Sequence, residues 1–185
     1  MRLATVAVLI FAFATAAAAA PKRVAVAPPT LDAYYGDWQG TAIAMSETDE
    51  DFPTSKRDIA VSMKKSDLSG FHLSWSTLQR QKGNPRAPLE VLKSTTVEFV
   101  PALAPNTWRA KTDTDPYSGG VLYWARLDGS GLVVSSFTVG QDGKPEYQTY
   151  RRRVEGPVMR LEFSNVSDGK FVRKVKGSLR KLKAP

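Results

Sequence analysis

The chain has 185 residues, a formal net charge of +8 and no Cys, which excludes a disulfide scaffold and thiol chemistry. One His cannot assemble the usual zinc site, and no G-x-S-x-G elbow occurs, so no catalytic constellation stands out. The charge is one-sided: residues 151–185 hold 11 Lys or Arg against 3 acids, whereas residues 19–150 hold 14 basic and 15 acidic residues. A basic face of that kind attracts polyanions, or simply keeps a sheet soluble and blunts its edges.

Residues 1–20 read as a secretory signal peptide. Arg2 supplies a positive start, Leu3 to Ala14 an apolar run of 12 residues, and Thr15 to Ala20 a small-residue tail. That run is too short to span a membrane, and an Ala-x-Ala reading of Ala16 to Ala18 places cleavage after Ala18. A Cys-free exported chain behind such a signal fits a periplasmic or secreted address. Residues 21–33, with Pro21, Pro28 and Pro29, read as an extended leader before a single domain over 34–185.

From Gly36 to Met45 the chain alternates, with Trp38, Gly40, Ala42 and Ala44 on one face. Small residues behind a Trp suit an inner wall where backbones approach closely. The acidic loop Glu47–Asp51 lacks the spacing of an EF-type calcium loop, and no metal site is expected. Strands follow at about Arg57–Lys65 (Ile59, Val61 and Met63 inward) and Phe71–Gln79 (Phe71, Leu73, Trp75 and Thr77 together). Gln81 to Pro88 is a polar loop. Strands near Leu92–Val100 and Thr107–Lys111, then Val121–Leu127, Leu132–Val139, Glu146–Val154, Val158–Val166 and Phe171–Leu182, complete the set.

Four acidic-Gly pairs punctuate the second half: Asp128-Gly129, Asp142-Gly143, Glu155-Gly156 and Asp168-Gly169, at intervals of 14, 13 and 13 residues. They mark hairpin turns between strands of about ten residues, roughly 33 Å long. No window after the signal shows a helical period. The expectation is an all-β protein, a single antiparallel up-and-down barrel of about 8–10 strands. An outer-membrane barrel is disfavoured, because Arg173 on one face of the last strand and Lys174, Lys176 and Arg180 on the other would each put charge at lipid depth.

Gly36-Asp37-Trp38-Gln39-Gly40 resembles the G-x-W signature of lipocalins and the wider calycin group, and Thr114-Asp115-Pro116-Tyr117 loosely resembles their T-D-Y motif, interrupted by Pro116. The resemblance implies a barrel whose Trp38 closes one end beneath a basic residue of the last strand, for which Arg180 is the candidate. It also implies a cavity that often holds a small apolar or amphiphilic ligand. About ten strands departs from the lipocalin eight and lies closer to the fatty-acid-binding branch. The nitric-oxide-binding haem barrels share a G-x-W-x-G opening but use a late His; none follows His72 here, and no cofactor is expected.

Trp75, Trp108, Tyr123, Phe137 and Tyr147 fall on faces that can line or fill an interior. Arg173 shares a face with Phe171, Val175 and Leu179, and an inward Arg needs an anionic partner or a path to water. Arg151 and Arg153, on a face with Tyr147 and Thr149, are candidates to join it, although three consecutive Arg at 151–153 must place at least one on each face. Asn165-Val166-Ser167 matches a glycosylation sequon that means little in a bacterial protein.

The sequence therefore favours an exported, non-catalytic barrel that binds or carries a small anionic amphiphile in the cell envelope. The alternative is an interaction module whose basic C-terminal third docks on anionic lipid or polysaccharide, and a small barrel isomerase or hydrolase comes third. Nucleic acid is not favoured as a partner.

Overall fold

A computed structural model describes residues 30–46, 54–67, 69–80 and 90–183. The expected signal peptide 1–20, most of the leader, the acidic loop Glu47–Asp51 and the polar loop 81–88 lie outside the described residues. Ten strands follow one another: β1 (Gly36–Ser46), β2 (Ser55–Lys65), β3 (Phe71–Arg80), β4 (Glu90–Pro101), β5 (Thr107–Ala110), β6 (Leu122–Asp128), β7 (Gly131–Val139), β8 (Pro145–Glu155), β9 (Val158–Ser167) and β10 (Lys170–Lys181). Each pairs antiparallel with its sequence neighbours, and β10 returns to pair with β1, closing the barrel. The last residues of the expected leader, Leu31–Ala33, form a 3₁₀ turn rather than extended chain, with Leu31 packed against the core.

The turn chemistry follows the acidic-Gly pairs in three of four places. Gly143, Gly156 and Gly169 all have positive φ, and Asp168 joins Gly169 at positive φ, as a two-residue type I′ hairpin requires. In the fourth turn the strained position is Gly131, at φ +117, rather than Gly129.

The seam between β1 and β10 explains the small residues behind Trp38. A Cβ at Gly40 would lie 2.0 Å from the Ser178 carbonyl oxygen, and one at Gly177 would lie 2.8 Å from the Ala42 Cβ. The two backbones meet at a distance that only these small residues permit.

The core occupies one end. Tyr34, Trp38, Met63, Phe71, Leu73, Phe99, Leu132, Met159 and Leu179 are fully buried there. Phe71 stacks on Phe99 with centroids 4.8 Å apart, and Trp108 meets Phe71 edge-on at 5.5 Å. Towards the other end the inward residues become polar, and the barrel opens into a cavity.

Outside the barrel a second, smaller apolar cluster covers β7. Val133 and Ser135 point outward yet are buried, beneath Trp124 and Tyr147, whose rings lie 5.8 Å apart. The Tyr147 hydroxyl donates to Ser135 Oγ at 3.2 Å.

Candidate functional site

The cavity has a volume of about 360 Å³, at the lower end of the range of small-molecule sites. Ile59 and Val61 of β2, Trp75 of β3, Leu161 and Phe163 of β9 and Val175 of β10 form its apolar wall. Its polar groups come mostly from the mouth ends of strands: Arg57, Thr77, Lys93, Glu146, Asn165 and Arg173. On β8 the inward row runs Glu146, Gln148, Tyr150, Arg152, so the strand carries a cation down to the floor.

Arg152 is the unusual residue. It is 1% exposed, and among the described residues nothing hydrogen-bonds to its Nε or Nη1. Its guanidinium lies 5.5 Å from the Trp75 ring centroid and 5.4 Å from that of Tyr150. Two aromatic faces ease the burial of a cation but supply no counter-charge. Burial accordingly pulls the Arg152 pKa down to about 10, partly opposed by the Tyr150 hydroxyl, while burial pushes Tyr150 up to about 12. A charge left in that state is costly, so the floor favours an anion.

Higher up the wall, Arg57 is half-buried, and desolvation together with the nearby charge of Arg173 lowers its pKa. The cavity therefore carries Arg57, Arg152, Arg173 and Lys93 against one lining carboxylate, Glu146, among the described residues. Glu146 is already engaged: Gln148 Nε2 donates to its Oε1 at 2.6 Å and Asn165 Nδ2 at 3.0 Å. The Tyr150 hydroxyl donates to Gln148 Oε1 at 3.0 Å, extending this polar column down β8. Burial also raises the pKa of Tyr123, whose ring lies 5.9 Å from that of Trp75.

Of the residues singled out from the sequence, Trp75, Tyr123 and Arg173 line the cavity. Trp108 points inward but belongs to the packed end, where its Nε1 donates to the Ser69 carbonyl at 3.4 Å; it fills rather than lines. Phe137, Tyr147, Arg151 and Arg153 are on the outer face, a correction that follows from the alternation of β7 and β8. Arg152 and Tyr150 are inward, so Arg151, Arg153 and Tyr147 must point out, and Phe137 pairs with Tyr147 on that side. Arg180 is also outward and exposed. The basic residue opposite Trp38 is Lys181, with its Nζ 5.4 Å from the ring centroid. Asn165 is inside the barrel with its amide bonded to Glu146, which removes it as a glycosylation acceptor.

Arg152 itself was not among the expected site residues, although the triplet at 151–153 guaranteed that at least one Arg would face inward. Among the described residues no group of three or more His, Cys, Asp or Glu comes together, and His72 lies exposed on the outer face.

Two solved structures are similar to this barrel. A protein of unknown function of the DUF3598 family from Nostoc punctiforme matches with a TM-score of 0.55 and 9% identity, over 84% of this chain and 50% of that one. The present chain thus spans half the length of that protein. An S-type phycobiliprotein lyase from Guillardia theta matches with a TM-score of 0.53 and 9% identity, over 84% of this chain and 92% of that one. Both are ten-stranded barrels of the calycin type. The fold is lipocalin-like. No family model and no curated protein matches the sequence.

Proposed function

We propose that this barrel binds a small anionic amphiphile in its cavity, as a carrier or sequestering protein rather than as an enzyme. The observation that carries this reading is Arg152: a fully buried guanidinium, facing the cavity, with two nitrogens that no described residue satisfies. A carboxylate is the group whose geometry suits it, because two oxygens can accept from the guanidinium fork in parallel. The apolar wall of Ile59, Val61, Leu161, Phe163 and Val175 suits a hydrocarbon segment next to that head. The fold likeness to a phycobiliprotein lyase is consistent with a barrel that holds a small ligand. Export through residues 1–20 would place this activity in the cell envelope.

Isothermal titration with dodecanoate and dodecanol tests the reading. Dodecanoate should bind about 10- to 100-fold more tightly, the range for a hydrogen-bonded charge, and Arg152→Met should remove most of that difference. Equal binding of acid and alcohol by the unaltered protein would refute an anion site, and binding of neither would refute a ligand cavity for amphiphiles.

A further inference from the structure

The cations of the cavity are arranged in two levels. Arg173, Asn165 and Gln148 lie on one rung across β10, β9 and β8. Arg152 is four residues further along β8, about 13 Å towards the closed end at the usual strand rise. Between these levels the wall is apolar or aromatic: Val175 on β10, Phe163 and Leu161 on β9, Tyr150 on β8. The opposite wall repeats the order, with Arg57 at the mouth and Ile59 and Val61 beneath it.

A ligand with one anionic group can answer only one of these levels. An anion at the floor leaves the like charges of Arg57 and Arg173 together at the half-buried mouth, and an anion at the mouth leaves Arg152 buried without a counter-charge. Glu146 does not resolve this, because its Oε1 is already shared by Gln148 and Asn165. We propose that the cavity takes an amphiphile with an anionic group at each end, the inner one meeting Arg152 and the outer one meeting Arg57 and Arg173 across an apolar middle. This rests on the anion-site reading given above and narrows its ligand class. The apolar middle separates such a chain from a compact dianion, which could bridge neither level to the other.

The test compares dodecanedioate with dodecanoate by titration calorimetry on the purified protein, alongside Arg57→Met and Arg152→Met. Without a second site the diacid should bind more weakly, since it must strip water from an extra carboxylate. The proposal expects the diacid to bind at least about tenfold more tightly, and each substitution to erase that preference. Arg152→Lys, which keeps the charge, should retain part of it, and it serves if Arg152→Met does not fold. A diacid that binds no better than the monoacid overturns the two-ended ligand while leaving the single anion site intact. A preference that survives Arg57→Met also overturns it, because the outer carboxylate would then be held elsewhere. Failure of both acids to bind is a failure of the anion site itself.

Discussion

The hydroxyl of Tyr34 donates to the backbone carbonyl of Arg152 at 3.2 Å and accepts from the Leu132 N–H at 3.1 Å. Tyr34 precedes the first strand, yet it pins the strand that carries the deepest cation of the cavity. Gly131 makes room for this: a Cβ there would lie 2.2 Å from the Arg152 carbonyl oxygen and 3.3 Å from the Tyr34 hydroxyl. Trp38 completes the plug by donating from Nε1 to the Tyr34 carbonyl at 2.9 Å. The closed end of the barrel is therefore built from the chain's first described turn, and the floor of the cavity rests on it.

Tyr34→Phe removes that hydroxyl and leaves the buried Leu132 N–H without its acceptor. The expected loss is about 1–3 kcal/mol, measured by urea denaturation. Tyr35→Phe is the control. Tyr35 is only half-buried and carries Lys65 over its ring at 5.1 Å, so its loss should stay within about 0.5 kcal/mol. Equal costs for the two substitutions would show that the Tyr34 bridge contributes nothing of its own.

Lys181, rather than Arg180, should be the basic residue that supports Trp38. Lys181→Met should lower stability by about 0.5–1 kcal/mol and change the Trp38 emission, as loss of a cation over an aromatic ring does. Arg180→Met, on the exposed outer face, should be close to neutral. The reverse ranking would restore Arg180 to the role that the family resemblance suggested.

Why this pair was misassigned, while the architecture was not, comes down to phase. Turn signals and alternation locate strands because Gly at positive φ and a period of two are local properties. Which face of a strand is inward is a comparison between its two faces, and several strands here present similar ones. On β7, Val133, Phe137 and Val139 are at least as apolar as Leu132, Val134, Ser136 and Thr138, yet the second set faces in, because Trp124 and Tyr147 cover the outside. On β8, each face has one Tyr, and the charged residues decide nothing: Arg152 is buried while Arg153 is exposed. On β2 and β3, where Ile59, Val61 and Met63 face Lys and Ser, and Leu73 and Trp75 face His and Ser, the phase was legible. At the end of β10, a one-residue difference in register separates Lys181 from Arg180 at Trp38, and nothing in the sequence fixes a register to one residue at a chain end.

Burial pushes the Tyr150 hydroxyl up to about 12, and this makes stability depend on alkaline pH. The unfolded chain releases this proton near pH 10 and the folded one only near pH 12, so between those values the folded state binds more protons. Stability is therefore fully present below about pH 10 and falls as pH rises towards 12, by on the order of 2 kcal/mol. Tyr150→Phe removes the effect, while Tyr123 titrates alike in both proteins. Denaturation curves at about pH 9 and about pH 11.5 should show the unaltered protein losing ground to the Phe variant across that interval. Parallel losses in the two proteins would mean that Tyr150 ionises as freely folded as unfolded.

A last comparison separates the cavity from the basic outer surface. Val175 is buried on the cavity wall, and Lys174 and Lys176, its neighbours on β10, occupy the opposite face. Val175→Phe should fill part of the 360 Å³ void, changing stability by no more than about 1.5 kcal/mol, because the added ring enters open space rather than packed core. Dodecanoate binding should then weaken by about tenfold or more, since the ring takes the place of the hydrocarbon segment. Replacing Lys174 and Lys176 together with Gln should leave binding at physiological salt within about twofold, because charges outside the wall are screened over about 8 Å. If instead the Lys pair abolished binding and Val175→Phe left it intact, the anion would sit on the outside of β9 and β10. The buried guanidinium of Arg152 would then be a structural charge held between Trp75 and Tyr150, and the basic C-terminal surface would become the site of function.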